Sequence, residues 1–323
     1  MKKLVRKLAI FLIPFALALV FFFVFEPYDY FAVKGDAVYG SMPLSSMRQL
    51  KKERPANIIL GDSRMANIDT DYVEQITGEQ WQMMGFGGAQ VGECVELFWY
   101  SAAHTDLEKV VFGVSFYTSS GTQGPGRIPV IEKRADSLWA FMTNANYWLE
   151  SINTAKYKAV NMIAGALGRD DLIYYPEDPT SFDAEILPDE RGVKYRRDLE
   201  DYCEILSGNM QKFSLEESTL ASLVEIAEYC DANGIELIFV FPPMQECVFE
   251  LVTEPLGIDG PIARYKDALK KHATVYDCEF RNEFTCCEDH FRDGFHLVGQ
   301  DRKQFIDAVF LGGDSPMIIR YGR

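Results

Sequence analysis

Two short motifs, far apart in the chain, contain residue types suited to nucleophilic chemistry. One is Gly-Asp-Ser-Arg at residues 61–64, directly after an apolar run, and the other is Asp-Gly-Phe-His at residues 293–296. Within one turn, Asp293 can reach Nδ1 of His296, which fixes the tautomer of the imidazole and leaves Nε2 free for a serine hydroxyl. The spacing therefore predicts Ser63 as a nucleophile and His296 as its base.

The sequence offers four histidines for the role of base. His290 also lies three residues from Asp293, but there the aspartate follows the histidine instead of preceding it, so we prefer His296. His104 and His272 fall in helical or loop stretches, and we interpret both as solvated side chains.

Three cysteines, Cys278, Cys286 and Cys287, stand just before the second motif. Outside the cell, a disulfide between Cys278 and one of the other two is one interpretation, and three unligated thiols are the other. The chain has no Cys-x-x-Cys and no paired histidine spacing, which disfavours a metal site. We expect no cofactor.

The motifs lie on a chain that alternates short apolar runs with helical stretches. The predicted strands are 57–60, 81–84, 110–116, 235–241 and a last one near 274–276. The predicted helices are 69–76, a helix from a capping box at Ser214 to Gly234, 262–271 and 302–310. This alternation predicts an α/β fold with a parallel sheet covered on both faces. Ser63 then follows the carboxyl end of the first strand, where such folds bind ligands.

Residues 118–212 interrupt the alternation. They contain two predicted helices, 137–149 and 154–167, and then a loop rich in proline and acidic residues at 170–189. About 95 residues between two strands exceed an ordinary crossover. We interpret the segment as an inserted cap beside the active edge of the sheet, and the alternative is that its aromatic side chains only pack a small core of their own.

The N-terminus has the pattern of a membrane anchor. Four basic residues among the first seven precede an uncharged run, Leu8 to Phe25, which spans roughly 27 Å as a helix, close to the thickness of a bilayer core. The basic cluster should stay in the cytoplasm and leave residues 30–323 outside. A cleaved signal peptide is the alternative, but the run ends without a small-x-small cleavage site. We therefore predict an uncleaved signal anchor at residues 1–29.

The charge balance narrows the range of partners. The 323 residues include 48 Asp and Glu against 32 Lys and Arg, a net charge of −16. A field of this sign repels nucleic acid and anionic lipid headgroups, so neither is expected as a general partner. The composition is otherwise that of one sizeable globular domain, and it excludes a disordered or collagen-like chain.

Taken together and in this order, the two motifs resemble the SGNH or GDSL-type hydrolase superfamily. The resemblance implies a flavodoxin-like αβα sandwich in which Ser63 is the nucleophile, Asp293 the orienting carboxylate and His296 the general base and acid. It also implies that the backbone N–H groups of Ser63 and Gly88 bind the oxyanion. In the family's third block Ser115 stands where an asparagine donor is usual.

The anchor, the arginine after the nucleophile, the poor third block and the large insertion resemble the cell-envelope acyl-transfer branch. That branch includes the D-alanine transfer protein of teichoic acid modification and the alginate-type polysaccharide O-acetyltransferases. The resemblance implies an extracytoplasmic serine esterase or O-acyltransferase that acts on a cell-envelope polymer or glycan, beside a membrane-bound O-acyltransferase. Arg64 would hold an anionic substrate group through its planar fork, or form a salt bridge. Because asparagine donors are missing from two blocks, the alternative is a catalytically weak binding or scaffold subunit.

Overall fold

The computed structural model describes residues 2–31, 43–119, 126–169, 199–201, 203–208, 210–211, 217–312 and 315–322. The chain divides into two compact units. The N-terminal unit consists of Met1–Arg48 and Val130–Asp178, and the sheet unit consists of Gln49–Pro129 and Pro179–Arg323. The predicted acidic loop at 170–189 and the predicted helix start at Ser214 lie outside the described residues.

The sheet unit is built on a six-stranded sheet. Its strands are β1 (Asn57–Leu60), β2 (Trp81–Met83), β3 (Lys109–Gly113), β4 (Glu236–Phe241), β5 (Thr274–Asp277) and β6 (Ile319–Tyr321). The spatial order is β2-β1-β3-β4-β5-β6, with the first five strands parallel and β6 antiparallel to β5. The order 2-1-3-4-5 is that of flavodoxin-like folds. The predicted fold class is therefore confirmed, with an antiparallel edge strand that the sequence did not predict.

The helices connect the strands and flank the sheet. In chain order they are α1 (Lys2–Val24), α2 (Pro43–Glu53), α3 (Ser63–Ala66), α4 (Thr70–Thr77), α5 (Val91–His104), α6 (Ile128–Asp136), α7 (Leu138–Met142), α8 (Ala145–Ala166), α9 (Glu217–Asn233), α10 (Asp259–Leu269) and α11 (Gly299–Phe310). Shorter helical segments lie at 199–201, 203–208 and 246–256.

Helices cover both faces of the sheet. On one face, Ile59, Val111 and Val240 belong to the same apolar cluster as Val73 of α4 and Phe305 of α11. On the other, α5 packs against β1 and α9, and α9 packs against β4 and α10. Every residue of β1 is buried, as expected of a strand between two helical layers.

The N-terminal unit contains α1 and the aromatic helices α7 and α8. The ring of Phe22, near the end of α1, lies 3.9 Å from the ring of Tyr147 and 4.3 Å from that of Trp148. Among the described residues, α1 is the one helix long and apolar enough to cross a membrane. The predicted signal anchor is thus a continuous helix.

The helices after α6 differ from the predicted pair at 137–149 and 154–167. Helix α7 ends at Met142, and Thr143 and Asn144 separate it from α8. The Asn144 side chain accepts a hydrogen bond from the backbone N–H of Asn146 at 3.3 Å and so begins the new helix. That helix, α8, then runs unbroken to Ala166. An asparagine cap ends one helix and begins another where apolar periodicity alone continues. The role of this segment as a cap stays a prediction.

All seven cysteines lie within the described residues, and all are unpaired. Cys278 is buried, whereas Cys286 is exposed. Both interpretations of the C-terminal cysteines stay predictions.

Candidate active site

Ser63 is the first residue of α3, immediately beyond the carboxyl end of β1. Gly61 leaves the strand with a φ of 144°, a conformation that favours glycine. Asp62 is extended, and its carboxylate caps the helix by accepting a hydrogen bond from the backbone N–H of Arg64 at 3.0 Å. This sharp turn from strand to helix places the Ser63 hydroxyl at the sheet edge where α/β folds bind ligands.

The loop after β2 lies directly against this turn. The backbone N–H of Phe86 donates to the carbonyl of Gly61 at 3.1 Å. A Cβ atom on Gly85 would lie 2.6 Å from the same carbonyl oxygen, so only glycine permits this approach. The close contact brings the loop that contains Gly88, whose φ is 68°, beside the turn that contains Ser63.

Asp293 and His296 form a turn that fixes its own geometry. Asp293 Oδ1 accepts hydrogen bonds from the backbone N–H groups of Phe295, at 3.1 Å, and His296, at 3.0 Å. The carbonyl of Gly294 accepts a hydrogen bond from the N–H of Gln245, which ties the turn to the segment after β4. Burial opposes ionisation of Asp293, but the His296 ring and the two backbone donors outweigh it and hold the pKa of this carboxyl below its ordinary value.

The structure brings together the three predicted catalytic residues, Ser63, His296 and Asp293. Nε2 of His296 lies 2.7 Å from Oγ of Ser63, and Nδ1 lies 2.8 Å from Oδ2 of Asp293. The carboxylate thus sets Nδ1 as the protonated nitrogen and leaves Nε2 to accept the serine proton. The His296 side chain is 16% exposed, so the pair is shielded but within reach of a substrate.

The two predicted oxyanion donors are the backbone N–H groups of Ser63 and Gly88. Within the described residues, neither the N–H of Ser63 nor that of Gly88 donates a hydrogen bond to the protein. The Arg127 side chain also holds the Gly88 loop, because it donates a hydrogen bond to the carbonyl of Gly88 at 2.8 Å. Arg127 in turn pairs with Glu93 of α5 at 2.7 Å. Sequence reasoning missed this supporting pair, since the two residues are 34 positions apart and match no motif.

The structure corrects the prediction for Ser115, and of the two interpretations of Arg64 it has the salt bridge. Ser115 is buried, and its hydroxyl donates to Asp62 Oδ2 at 2.9 Å, so it is not directed at the substrate. Tyr117 donates to the same oxygen at 2.7 Å, and Arg64 pairs with it at 3.3 Å. Arg64 also donates to the carbonyl of Pro242, and its side chain is 3% exposed. The buried Asp62 carboxylate requires these partners, so Ser115 and Arg64 hold the turn at Ser63 in place.

Glu279 connects Arg64 to a second group of buried charges, Lys266 and Asp277. Nζ of Lys266 lies 2.8 Å from Asp277 Oδ1 and 3.6 Å from Glu279 Oε1, and Arg64 lies 4.0 Å from Glu279 Oε2. Neither carboxylate oxygen of Glu279 has a hydrogen-bond partner among the described residues, and its side chain is 1% exposed. Burial raises the pKa of Glu279 to about 7, against the lowering influence of Lys266 and Arg64.

We expect replacement of Glu279 by glutamine to flatten the pH dependence of stability between pH 4.5 and about 7. In the wild type the folded state keeps the Glu279 proton up to the raised pKa, whereas the unfolded state releases it near the ordinary value. The unfolded state therefore binds fewer protons in this window, and stability falls as the pH rises, by on the order of 3 kcal/mol. Glutamine has no proton to release.

The measurement is the free energy of unfolding in urea at pH 5, 6 and 7. Glu228→Gln, at an exposed site on α9, is the matched control and should keep the slope of the wild type. Equal slopes for the wild type and Glu279→Gln would show that Glu279 is ionised throughout this range.

The fold and the predicted site residues can be compared with the resemblance found in the sequence. A flavodoxin-order sheet with a serine directly after β1 and an Asp-x-x-His turn after β5 is the arrangement that the resemblance to the SGNH or GDSL type implies. Within the part of the chain that the structure describes, no group of three or more His, Cys, Asp or Glu side chains is placed to hold a metal ion.

Comparisons with known proteins find similarity at the level of structure. No family model matches the chain, and no curated protein matches it. A protein assigned as an acylhydrolase from Bacteroides fragilis is 12% identical, with a TM-score of 0.42, over 82% of this chain and 92% of the other. A GDSL-like lipase from Bacteroides thetaiotaomicron is 13% identical, with a TM-score of 0.40, over 84% and 98%.

Proposed function

We propose that this protein is a membrane-anchored, extracytoplasmic serine esterase or O-acyltransferase that acts on a cell-envelope polymer or glycan. The observation that carries the proposal is the continuous chain of contacts from Ser63 Oγ through His296 to Asp293, with distances of 2.7 Å and 2.8 Å. This geometry suits the activation of a serine toward an ester carbonyl.

The first half of the reaction forms an acyl-enzyme. Ser63 Oγ attacks the carbonyl carbon of the ester while Nε2 of His296 takes the hydroxyl proton, and Asp293 stabilises the resulting imidazolium. The N–H groups of Ser63 and Gly88 bind the oxyanion of the tetrahedral intermediate. When the intermediate collapses, the bond to the alcohol oxygen breaks, and His296 returns its proton to the leaving alcohol.

The second half releases the acyl group to an acceptor. His296 removes a proton from water or from a sugar hydroxyl, whose oxygen attacks the Ser63 ester, and Ser63 recovers its proton as the new acid or ester leaves. Whether water or a hydroxyl accepts the acyl group depends on which of them the bound polymer admits to the site.

The anchor supports the proposed location, and the resemblance to the cell-envelope branch implies the partner. An outward-facing enzyme on α1 would receive acyl groups at the membrane surface, and a membrane-bound O-acyltransferase is the proposed supplier. The apolar length of α1 and the basic cluster before it support this orientation.

One observation favours a second candidate, a binding or scaffold subunit with weak catalysis. The Ser115 hydroxyl is committed to Asp62, so the oxyanion has two backbone donors and lacks the side-chain donor implied by the third block. Loss of one oxyanion donor typically costs about 100- to 1000-fold in rate.

Labelling of the full chain in detergent with a fluorophosphonate separates the two candidates. We expect the wild type and Ser222→Ala, a serine variant on the surface of α9, to be labelled, and Ser63→Ala to be unlabelled. Labelling that persists in Ser63→Ala would eliminate Ser63 as the nucleophile. A folded wild type that does not react would favour the binding subunit.

A further inference from the structure

Helix α8 has an apolar stripe that none of the described residues of its unit covers. The stripe consists of large side chains that recur at helical spacing and are all exposed, from 42% at Ile152 to 67% at Leu167: Leu149, Ile152, Val160, Ile163 and Leu167. Lys156 is the one charged residue on this line, and a lysine can extend its ammonium group to the water boundary while its stem stays in an apolar layer. The start of α7 adds Trp139, which is 78% exposed.

The opposite side of α8 is already occupied. Tyr147, Ser151 and Thr154 are buried, and Tyr147 packs on Phe22 of α1 and Phe141 of α7. The exposed stripe is therefore a second apolar face, distinct from the one that packs the helix into its own unit.

The position of Phe22 along α1 indicates the depth in the membrane at which α8 packs on α1. The uncharged run from Leu8 to Phe25 spans roughly one thickness of a bilayer core, and Phe22 lies three residues, about 5 Å, before its outer end. If α1 spans the membrane with its basic end in the cytoplasm, Phe22 and the aromatic side chains around it lie at the outer boundary of the bilayer. That level is where tryptophan and tyrosine are enriched.

The charge of this segment differs from that of the chain. Residues 130–169 contain five basic and three acidic side chains, a local net charge of +2 in a protein of net charge −16. Basic residues beside an exposed apolar stripe are the composition of helices that lie in a membrane interface. The net charge of this segment therefore attracts anionic lipid headgroups, whereas the net charge of the whole chain repels them.

We propose that the apolar stripe of α8, together with Trp139, is embedded in the outer leaflet interface of the membrane that α1 spans. This inference rests on the anchored, outward orientation in the proposed function. A lipid surface fits better than a protein groove, because the stripe is on a helix whose other face packs on the aromatic end of the spanning helix, and because this segment has a net positive charge.

Quenching by brominated lipid in proteoliposomes tests the contact. The full chain is reconstituted into phosphatidylcholine and phosphatidylglycerol vesicles, with or without acyl chains brominated near the headgroup. In a Trp139→Phe background, Ile163→Trp introduces a reporter on the stripe. Lys158→Trp introduces one at an exposed position about 140° around the helix. We expect brominated lipid to reduce the Ile163→Trp contribution at least about twofold and to leave that of Lys158→Trp unchanged.

The outcomes separate this inference from the anchor itself. If the chain stays in the vesicles and Ile163→Trp is no more quenched than Lys158→Trp, the stripe is free of lipid; a protein partner then becomes its occupant, and the inference is overturned. If alkaline washing removes the chain from the vesicles, α1 does not anchor it, and the orientation and this inference fail together. As a further check, Leu149→Glu with Ile163→Glu should abolish the quenching of Trp139 in an otherwise native sequence.

Discussion

Replacement of His296 by alanine is expected to lower ester hydrolysis by roughly 10⁶-fold in kcat, the loss typical when the nucleophile or the base of a serine triad is removed. Without the imidazole, nothing within the described residues accepts the proton of Ser63 Oγ, because His296 is its one hydrogen-bond partner there. The measurement is hydrolysis of a p-nitrophenyl acyl ester by the full chain in detergent.

The matched control is His290→Ala. His290 also lies three residues from Asp293, but its Nδ1 pairs with Asp301 at 3.0 Å and its ring stacks on Phe284. We expect this variant to retain activity within a few-fold and to lose no more than about 1 kcal/mol of stability. If the His290 variant is inactive while the His296 variant works, the assignment of the base is wrong.

Replacement of Arg64 by methionine is expected to reduce the free energy of unfolding by about 3–5 kcal/mol. Methionine fills much of the space but leaves the Asp62 carboxylate, deep in the protein, without its cation. The charge on Arg64, together with hydrogen bonds from Tyr117 and Ser115, at present outweighs burial and lowers the pKa of Asp62. Urea unfolding of the full chain, followed by tryptophan fluorescence, measures the loss.

Lys109→Met is the control for this experiment. Lys109 pairs with Glu79 where both side chains are about one-third exposed, so its removal should cost no more than about 1 kcal/mol. Equal losses of unfolding free energy in the two variants would show that the Arg64–Asp62 pair is as well solvated as a surface pair. The buried network would then not hold the turn at Ser63 in place.

The central strands and the pairing of Asp293 with His296 could be predicted because each depends on residues close together in the sequence. The run at 57–60 matches β1 residue for residue, since a strand buried on both faces is mostly apolar and three of these four residues are isoleucine or leucine. Asp293 and His296 are three residues apart, and their contact forms within one turn. In both cases the chain segment itself contains the information.

The buried charges could not be predicted because their partners are far apart in the chain. Arg64 and Pro242 are 178 positions apart, and Ser115 is 53 positions from Asp62. A block alignment places Ser115 at the position of an oxyanion donor, but the fold turns its hydroxyl toward Asp62. Edge strand β6 was missed because its three residues are exposed or only partly buried, so no apolar run marks them in the sequence.

The turn of residues 293–296 holds the predicted base and its carboxylate in one short segment. Because Asp293 binds both the backbone and the ring of His296 within these four residues, a shift of this loop would move the two side chains together. The 2.7 Å contact between His296 and Ser63 would then lengthen, while the contact between Asp293 and His296 would stay intact.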